Sequence, residues 1–380
     1  MKSLRICMIF STPFPPREGI GNYVCNLSQK LVLKGHKVTL ITRGSLNFKE
    51  EKYEEINILK PTFLPFYPFH VHFHRIFVNR LIKKFESNFD IIHIHSPLSP
   101  VISTKIPIIS TIHTPMKTDT LNFESVGIFS YAAKAQSKVS YKLEQDLLAK
   151  SKIITTVSST VANELVNEYG INYNDINIIY NGVNEEVFVP LDKKSSEKYI
   201  LYVGSLAYRK GLFDLIDCAK YVCTNYADIK FVVLGDGVLK DRLKKKVKEL
   251  NLEDRVLFKG HVSKRDLISY YQNALIHVIP SHYEGLPTVL LEAMSCGLAV
   301  VATAVSGNID VISSEDNGIL VPSKSPVEMA EKISFLIENN DFREALGMNA
   351  RKTIEEHFTW DIISNNILSY YESLMGEKSG

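Results

Sequence analysis

The feature that most constrains this chain is a recurring alternation of short β-branched apolar runs with amphipathic stretches of helical period. Arg5–Phe10 is the first such run, and Asn22–Lys34 follows with Val24, Leu27, Leu31 and Val32 close to a 3.6-residue spacing. That stretch stops at Lys34-Gly35, a basic last turn before a glycine suited to the left-handed position after a helix. Lys37–Thr42, Asp90–His95, Pro107–Ile112 and Lys152–Val157 read as further strands, with a long helix expected near Phe129–Lys150. The pattern restarts after the polar joint Pro190–Lys198, with strands at Tyr199–Val203, Lys230–Leu234, Val256–Phe258, Leu275–Ile279 and Ala299–Ala302, and a helix near Leu212–Tyr221. Parallel neighbours can be joined only by crossovers, so this order predicts an α/β chain with helices on both faces of parallel sheets. A chain of 380 residues so divided predicts two doubly wound domains, 1–185 and 186–358. The segment 359–380 holds a last helix, about Trp360–Leu374, whose apolar face of Ile362, Ile363, Ile367, Leu368 and Tyr371 must be covered. Ligands of open parallel sheets bind at the carboxyl ends of strands, so the loops there are where chemistry is to be sought.

Composition removes several classes. Hydrophobic residues are 45% and charged residues 23%, which disfavours a disordered or collagenous chain. Cys7, Cys25, Cys218, Cys223 and Cys296 are odd in number and form no C-x-x-C pair, so they are expected as reduced, mostly buried thiols in a cytoplasmic protein. No apolar run approaches the ~18–20 residues of a membrane span. The opening Ile6–Phe10 run is too short for a signal-peptide core and reads as a strand. A net charge of +2 argues against a nucleic-acid partner. It conceals a polarity, since residues 1–185 hold 21 Lys and Arg against 15 Asp and Glu, whereas 186–380 hold 23 against 27.

Two loops carry the chemistry. In Glu284–Gly297, Pro287 suits a first helical position and Gly297 a left-handed stop, which places Glu284 in the loop before a short helix and Glu292 on it. The N–H groups of Leu286, Thr288 and Val289 would then be open to an anion, an arrangement contributing ~0.3–2 kcal/mol from the dipole alone. A glutamate among leucines needs a partner. The hydroxyls of a ribose would serve; so would a lysine or a backbone N–H, with Glu284 a solvated loop charge. Gly204–Gly211 follows a strand and ends Arg209-Lys210-Gly211, cations placed to hold a diphosphate or simply a solvated basic turn.

Together these loops resemble the donor site of GT-B glycosyltransferases of the GT4 type, the retaining, nucleotide-sugar-dependent group 1 enzymes. Glu284 and Glu292 match the E-x7-E motif, and Gly204 through Gly211 the G-x6-G element with its lysine. Glu18–Val24, Gly35–Thr42, Thr111–Pro115, Asn181–Val183, Gly235–Gly237, Gly260–Val262 and Asn317–Pro322 also match, in order and over nearly the whole chain. The resemblance implies a GT-B fold, two Rossmann-like domains facing an interdomain cleft, with the C-terminal helix returning to the first domain. It implies transfer of a hexosyl group, with retention, from a nucleoside diphosphate sugar to a hydroxyl of a glycan or lipid-linked acceptor in cell-envelope or glycoconjugate synthesis. In that reading Glu284 contacts the transferred sugar, and His113, at a strand end, lies near the sugar and leaving phosphate. Glu292 takes the ribose, Lys210 the diphosphate, the Gly19 backbone approaches the phosphates, and the Val262 backbone meets the base. The family is generally metal-independent, so no metal or other cofactor is implied. A GT-B phosphorylase or epimerase, or a non-catalytic sugar-nucleotide sensor, would share the pocket, although a sensor has no need of Glu284, Glu292, Lys210 and His113 together.

Two departures stand out. Ser205 occupies the place of the usual arginine after the first glycine, a loss of about 1.5–3 kcal/mol that Arg209 is expected to make good. Glu18-Gly19 replaces the usual glycine pair. Gly19-Ile20-Gly21 lacks the third glycine of a dinucleotide fingerprint, Val24 standing there instead. His93 and His95 share a strand face, and His70, His72 and His74 alternate in an aromatic loop. Without ligand-spaced carboxylates or cysteines they read as substrate contacts or surface residues rather than metal ligands. Residues 61–89 interleave Phe63, Phe66, Tyr67, Phe69, Phe73, Phe77 and Phe85 with Arg75, Arg80, Lys83 and Lys84. Such a stretch suits an anionic membrane surface on the inner face, or packing within the first domain, or a soluble-acceptor pocket. Lys244, Lys245, Lys246 and Lys248 read as a solvated helix face.

Overall fold

The computed structural model describes residues 3–16, 19–66, 70–97, 99–117, 140–191 and 197–376. The chain divides into two units, one of Met1–Asn181 with Trp360–Gly380 and one of Gly182–Thr359. The turn of the chain from one to the other thus falls at Asn181/Gly182, a few residues before the polar joint.

The first unit is an eight-stranded sheet in the order β3-β4-β2-β1-β5-β6-β7-β8. Its strands are β1 Arg5–Pro13, β2 Lys37–Arg43, β3 Lys49–Tyr53, β4 Ile56–Lys60, β5 Ile91–Ser96, β6 Ile108–Ile112, β7 Ile153–Thr156 and β8 Ile176–Ile178. All pairs are parallel except the β3–β4 hairpin. β5 and β6 are buried along their whole length, as expected of strands covered on both faces. One face packs the helix Gly19–Leu33 and the C-terminal helix Trp360–Gly376, through Val24, Leu27, Leu31, Ile363, Ile367 and Tyr371. The apolar face of the last helix is therefore covered by the first unit. The other face packs the helix His70–Phe85 and the helical stretch 140–150. The rest of the long helix expected near Phe129–Lys150 lies outside the described residues, as do Glu18, Tyr67 and Phe69.

The second unit is a six-stranded parallel sheet in the order β11-β10-β9-β12-β13-β14. These are β9 Tyr199–Val203, β10 Lys230–Leu234, β11 Val256–Gly260, β12 Ile276–Ile279, β13 Val300–Thr303 and β14 Ile319–Val321. The chain order reverses between β9 and β12 here, and between β1 and β5 in the first unit. Loops diverge at such a point and leave a crevice at the strand carboxyl ends.

Three local expectations are corrected. Residues 70–85 form a helix, not an aromatic loop. Its buried line of Val71, His74, Val78, Leu81 and Ile82 turns His74 inward beside Phe63 and leaves His72 exposed. His93 and His95 are not surface positions, both being fully buried on β5. In the helix Lys240–Glu249, Lys244, Lys245 and Lys248 are solvated, but Lys246 is half-buried and pairs with Asp217 at 2.6 Å.

Candidate functional site

The second unit's switch point places the loops after β9 and β12 side by side, and backbone contact holds them there. Gly211 has φ +66°, and a Cβ on it would lie 1.8 Å from the Pro280 carbonyl oxygen, so no other residue fits without moving the chain. The His282 N–H donates to the Arg209 carbonyl at 2.8 Å. Asp214, in the first turn of the helix Leu212–Asn225, meets His282 Nε2 at 2.7 Å. The loop ending Arg209-Lys210 and the loop carrying Glu284 are thus one structure.

Within it, Glu284 is 4% exposed. Lys210 Nζ lies 2.5 Å from its Oε1, Arg209 donates to Oε2 at 3.4 Å, and the Ser281 hydroxyl donates to Oε1 at 2.7 Å. Burial would raise the Glu284 pKa, but the charges of Lys210 and Arg209 outweigh it and hold the carboxyl below its ordinary value. Burial takes Lys210 below its own ordinary value, even against the attraction of Glu284. A desolvated ammonium paired to one carboxylate still has donors to offer an incoming anion. The two residues expected to meet different parts of a ligand are therefore in direct contact with each other. Ser205 is exposed, and the position of the usual arginine carries no charge. Arg209, 42% exposed as a side chain, reaches the cluster from four residues on.

The helix Thr288–Ser295 begins one residue later than the sequence suggested, because Pro287 is extended at φ −74° and ψ 121° and caps it without a side-chain bond. Gly297 takes the expected left-handed stop, φ +65°. The first-turn N–H groups of Thr288 and Val289 have no acceptor within the helix. Leu286 is buried just before it. Glu292 is half-buried on this helix; the Tyr271 hydroxyl donates to its Oε2 at 3.0 Å, and the charge of Lys264 adds an attraction. Burial pushes the Glu292 carboxyl up to about 7. Val262 is half-buried in the short loop between β11 and the helix Lys264–Asn273.

The first unit brings Gly19 and His113 to the carboxyl end of its own sheet. Gly19 is exposed at the start of its helix, and a Cβ there would meet no atom within 4 Å. The glycine required by packing is Gly21, where a Cβ would sit 2.6 Å from Pro16 Cβ. His113, just past β6, is buried against Tyr23, with ring centroids 4.9 Å apart, and its Nε2 lies 3.3 Å from His95 Nδ1. Burial lowers the His113 pKa to about 3, which leaves the imidazole neutral at physiological pH. Behind it, His93 bridges Tyr371 at 2.7 Å and Thr111 at 2.6 Å. Among the described residues, no group of three or more His, Cys, Asp or Glu is arranged to hold a metal ion, and no helix is long and apolar enough to cross a membrane.

Comparison with known proteins gives the same outline. Residues 17–187 match the family described as Glycosyltransferase Family 4, and residues 183–353 the family described as Glycosyl transferases group 1. An uncharacterized glycosyltransferase of Methanocaldococcus jannaschii is 27% identical over 98% of this chain and 99% of its own. The N-acetyl-alpha-D-glucosaminyl L-malate synthase of Bacillus anthracis is 26% identical over 97% and 98%. Among solved structures, the sucrose-phosphate synthase of Thermosynechococcus elongatus superposes with a TM-score of 0.81 at 21% identity, covering 98% of this chain and 99% of that one.

Proposed function

The chain belongs to the GT4-type glycosyltransferases of GT-B fold, and on that premise we propose that it moves a hexosyl group, with retention, from a nucleoside diphosphate sugar to a hydroxyl acceptor. The observation that carries the reading is Glu284, buried yet held ionised between Lys210 and Arg209 where the second sheet reverses direction. A carboxylate so placed accepts hydrogen bonds from sugar hydroxyls. The two cations, with the N–H groups of Thr288 and Val289, stabilise charge on a departing diphosphate. Glu292 takes the ribose, Val262 the base and Gly19 the phosphates, while neutral His113 meets the donor sugar. The site works by positioning and electrostatics, and no metal is required. A full-length relative is named for an alpha-linked product on a hydroxy acid, which supports a hydroxyl acceptor and, from an α-configured donor, retention.

The acceptor is a glycan or a lipid-linked molecule reached at the inner face of a membrane. One face of the helix His70–Phe85, lined by His72, Arg75, Ile76, Asn79, Arg80 and Lys83, supports this, being cationic with an exposed apolar residue at its centre. Co-sedimentation with anionic vesicles at low salt tests the membrane contact, and an unbound protein refutes that contact.

A thermal-shift panel of UDP, GDP, ADP and their sugars tests the donor, since a ligand at ~100-fold over its Kd adds about 2.7 kcal/mol of stability. One nucleotide is expected to stabilise, its sugar to transfer in chelator as well as without it, and Glu284→Ala to abolish transfer. A panel with no stabilising nucleotide refutes the donor. Binding without turnover indicates a sensor, and release of the sugar onto inorganic phosphate a phosphorylase.

A further inference from the structure

Glu144 lies in the helical stretch 140–150 and is 3% exposed, yet its carboxylate accepts from three donors. The Ser96 hydroxyl, on the last residue of β5, donates to Oε1 at 2.5 Å. The Met116 N–H, three residues past His113, donates to Oε2 at 2.8 Å, and the Tyr169 hydroxyl donates to the same oxygen at 2.5 Å. Tyr169 ends the helix Ser159–Tyr169 and is itself stacked on Tyr141, with centroids 4.8 Å apart and planes 13° from parallel. The donors thus come from three separate elements. A further bond closes the circuit, because the His113 N–H donates to the Ser96 carbonyl at 3.2 Å. Apolar packing would usually fill such a place at lower cost than a buried carboxylate, so its presence calls for a reason other than stability. Ser96 and Met116 supply one: they stand on either side of His113, and Glu144 ties them to a common point.

We propose that Glu144 is a positioning residue for His113, clamping the end of β5 to the turn after β6 so that the imidazole is presented at a set height and angle on the carboxyl edge of the sheet. His95 meets the ring at Nε2, and Glu144 holds the Ser96 hydroxyl on one side of it and the Met116 N–H on the other. The inference rests on the reading above in which His113 meets the donor sugar.

The test is a double-mutant cycle on the full chain, read as kcat at saturating donor and as nucleotide Kd by calorimetry. Glu144→Ala is expected to lower kcat by about ten-fold or more while leaving Kd within about two-fold, because Lys210, Glu284 and Glu292 belong to the other unit. Glu144→Gln, which keeps one acceptor oxygen, falls between. In a His113→Ala background, Glu144→Ala should add less than about two-fold. The His113 ring resonances of ¹⁵N-histidine-labelled protein should move in Glu144→Ala, and those of His277, in the other unit, should not. Tyr169→Phe removes a single donor and is expected to cost about three-fold in kcat, which preserves the comparison if Glu144→Ala fails to fold. Multiplicative losses in the double variant, or wild-type kcat and unmoved His113 resonances in Glu144→Ala, overturn the proposal and leave the reading of His113 standing. Wild-type transfer by His113→Ala overturns both.

Discussion

Replacing Lys210 by methionine removes the ammonium from the Glu284 cluster and keeps most of the stem, so the loss is nearly pure counter-charge. Its Nζ lies 2.5 Å from Oε1, with the two side chains only 13% and 6% exposed. At an effective dielectric of ~20 that separation is a gross attraction of ~7 kcal/mol. Arg209 at 3.4 Å gives a gross ~5 kcal/mol, reduced further by its exposure. Stripping water from the buried ions cancels several kcal/mol of this, and the asymmetry that remains is the useful quantity: breaking a buried pair from one side costs about 3–5 kcal/mol. Arg209 and Ser281 still hold Glu284 in the variant, which places the expectation near the low end, ~3 kcal/mol. For a unit the size of Gly182–Thr359, each 1 kcal/mol moves the midpoint by ~2–4 °C, so its transition should fall by ~6–12 °C in scanning calorimetry at neutral pH. The double variant Lys210→Met/Glu284→Gln leaves no buried charge unmatched and should recover ~2 kcal/mol relative to the sum of the singles. The pH dependence has a definite sign. The folded-state pKa of Glu284 is depressed, so its contribution is fully present above the unfolded value of ~4.3 and fades as pH falls through the folded one. The gap between Lys210→Met and wild type should therefore narrow in acid. A midpoint within about 1 °C of wild type, or strict additivity in the double variant, would refute the account of the cluster.

Three further outcomes follow from the same geometry. Glu292, pushed up to about 7, costs stability progressively between the unfolded carboxylate value and that point, so Glu292→Gln should be more stable than wild type by ~2–3 kcal/mol at pH ~8 and lose that advantage near pH ~5; denaturant melts at the two pH values decide it. Gly211→Ala should lower the midpoint of the second unit and weaken nucleotide binding together, since the added Cβ collides with the Pro280 carbonyl at 1.8 Å and the left-handed backbone alone costs ~1–2 kcal/mol; calorimetry checks both. Tyr371→Phe strips His93 Nδ1 of its 2.7 Å partner and should destabilise the first unit by ~1–3 kcal/mol with nucleotide affinity unchanged.

Much of the strand framework is legible locally. Tyr199–Val203 and Lys230–Leu234 stand where the β-branched runs stop and start, because strands covered on both faces need uninterrupted apolar sequence. The strand Lys49–Tyr53 carries no apolar signal for the opposite reason, since an edge strand exposed along its length can be Lys-Glu-Glu-Lys-Tyr. The helix His70–Phe85 was hidden because histidine, arginine and phenylalanine blur its apolar line, and the burial of His74 follows no sequence rule.

The chain's residue order determined its class by itself: alternating periods of two and 3.6, the glycine stops, and loops bearing Glu284, Arg209 and Lys210 directly after strands. These signals are short-range, set by backbone sterics and by which face of each element must leave water. Tertiary structure alone decided who partners whom. Lys210 and Glu284 are 74 residues apart, and Glu144 draws donors from 48, 28 and 25 residues away. Such pairings depend on where the strand order reverses and on how two loops close over each other. Burial then makes them matter, because a charge removed from water must find its counterpart in the fold.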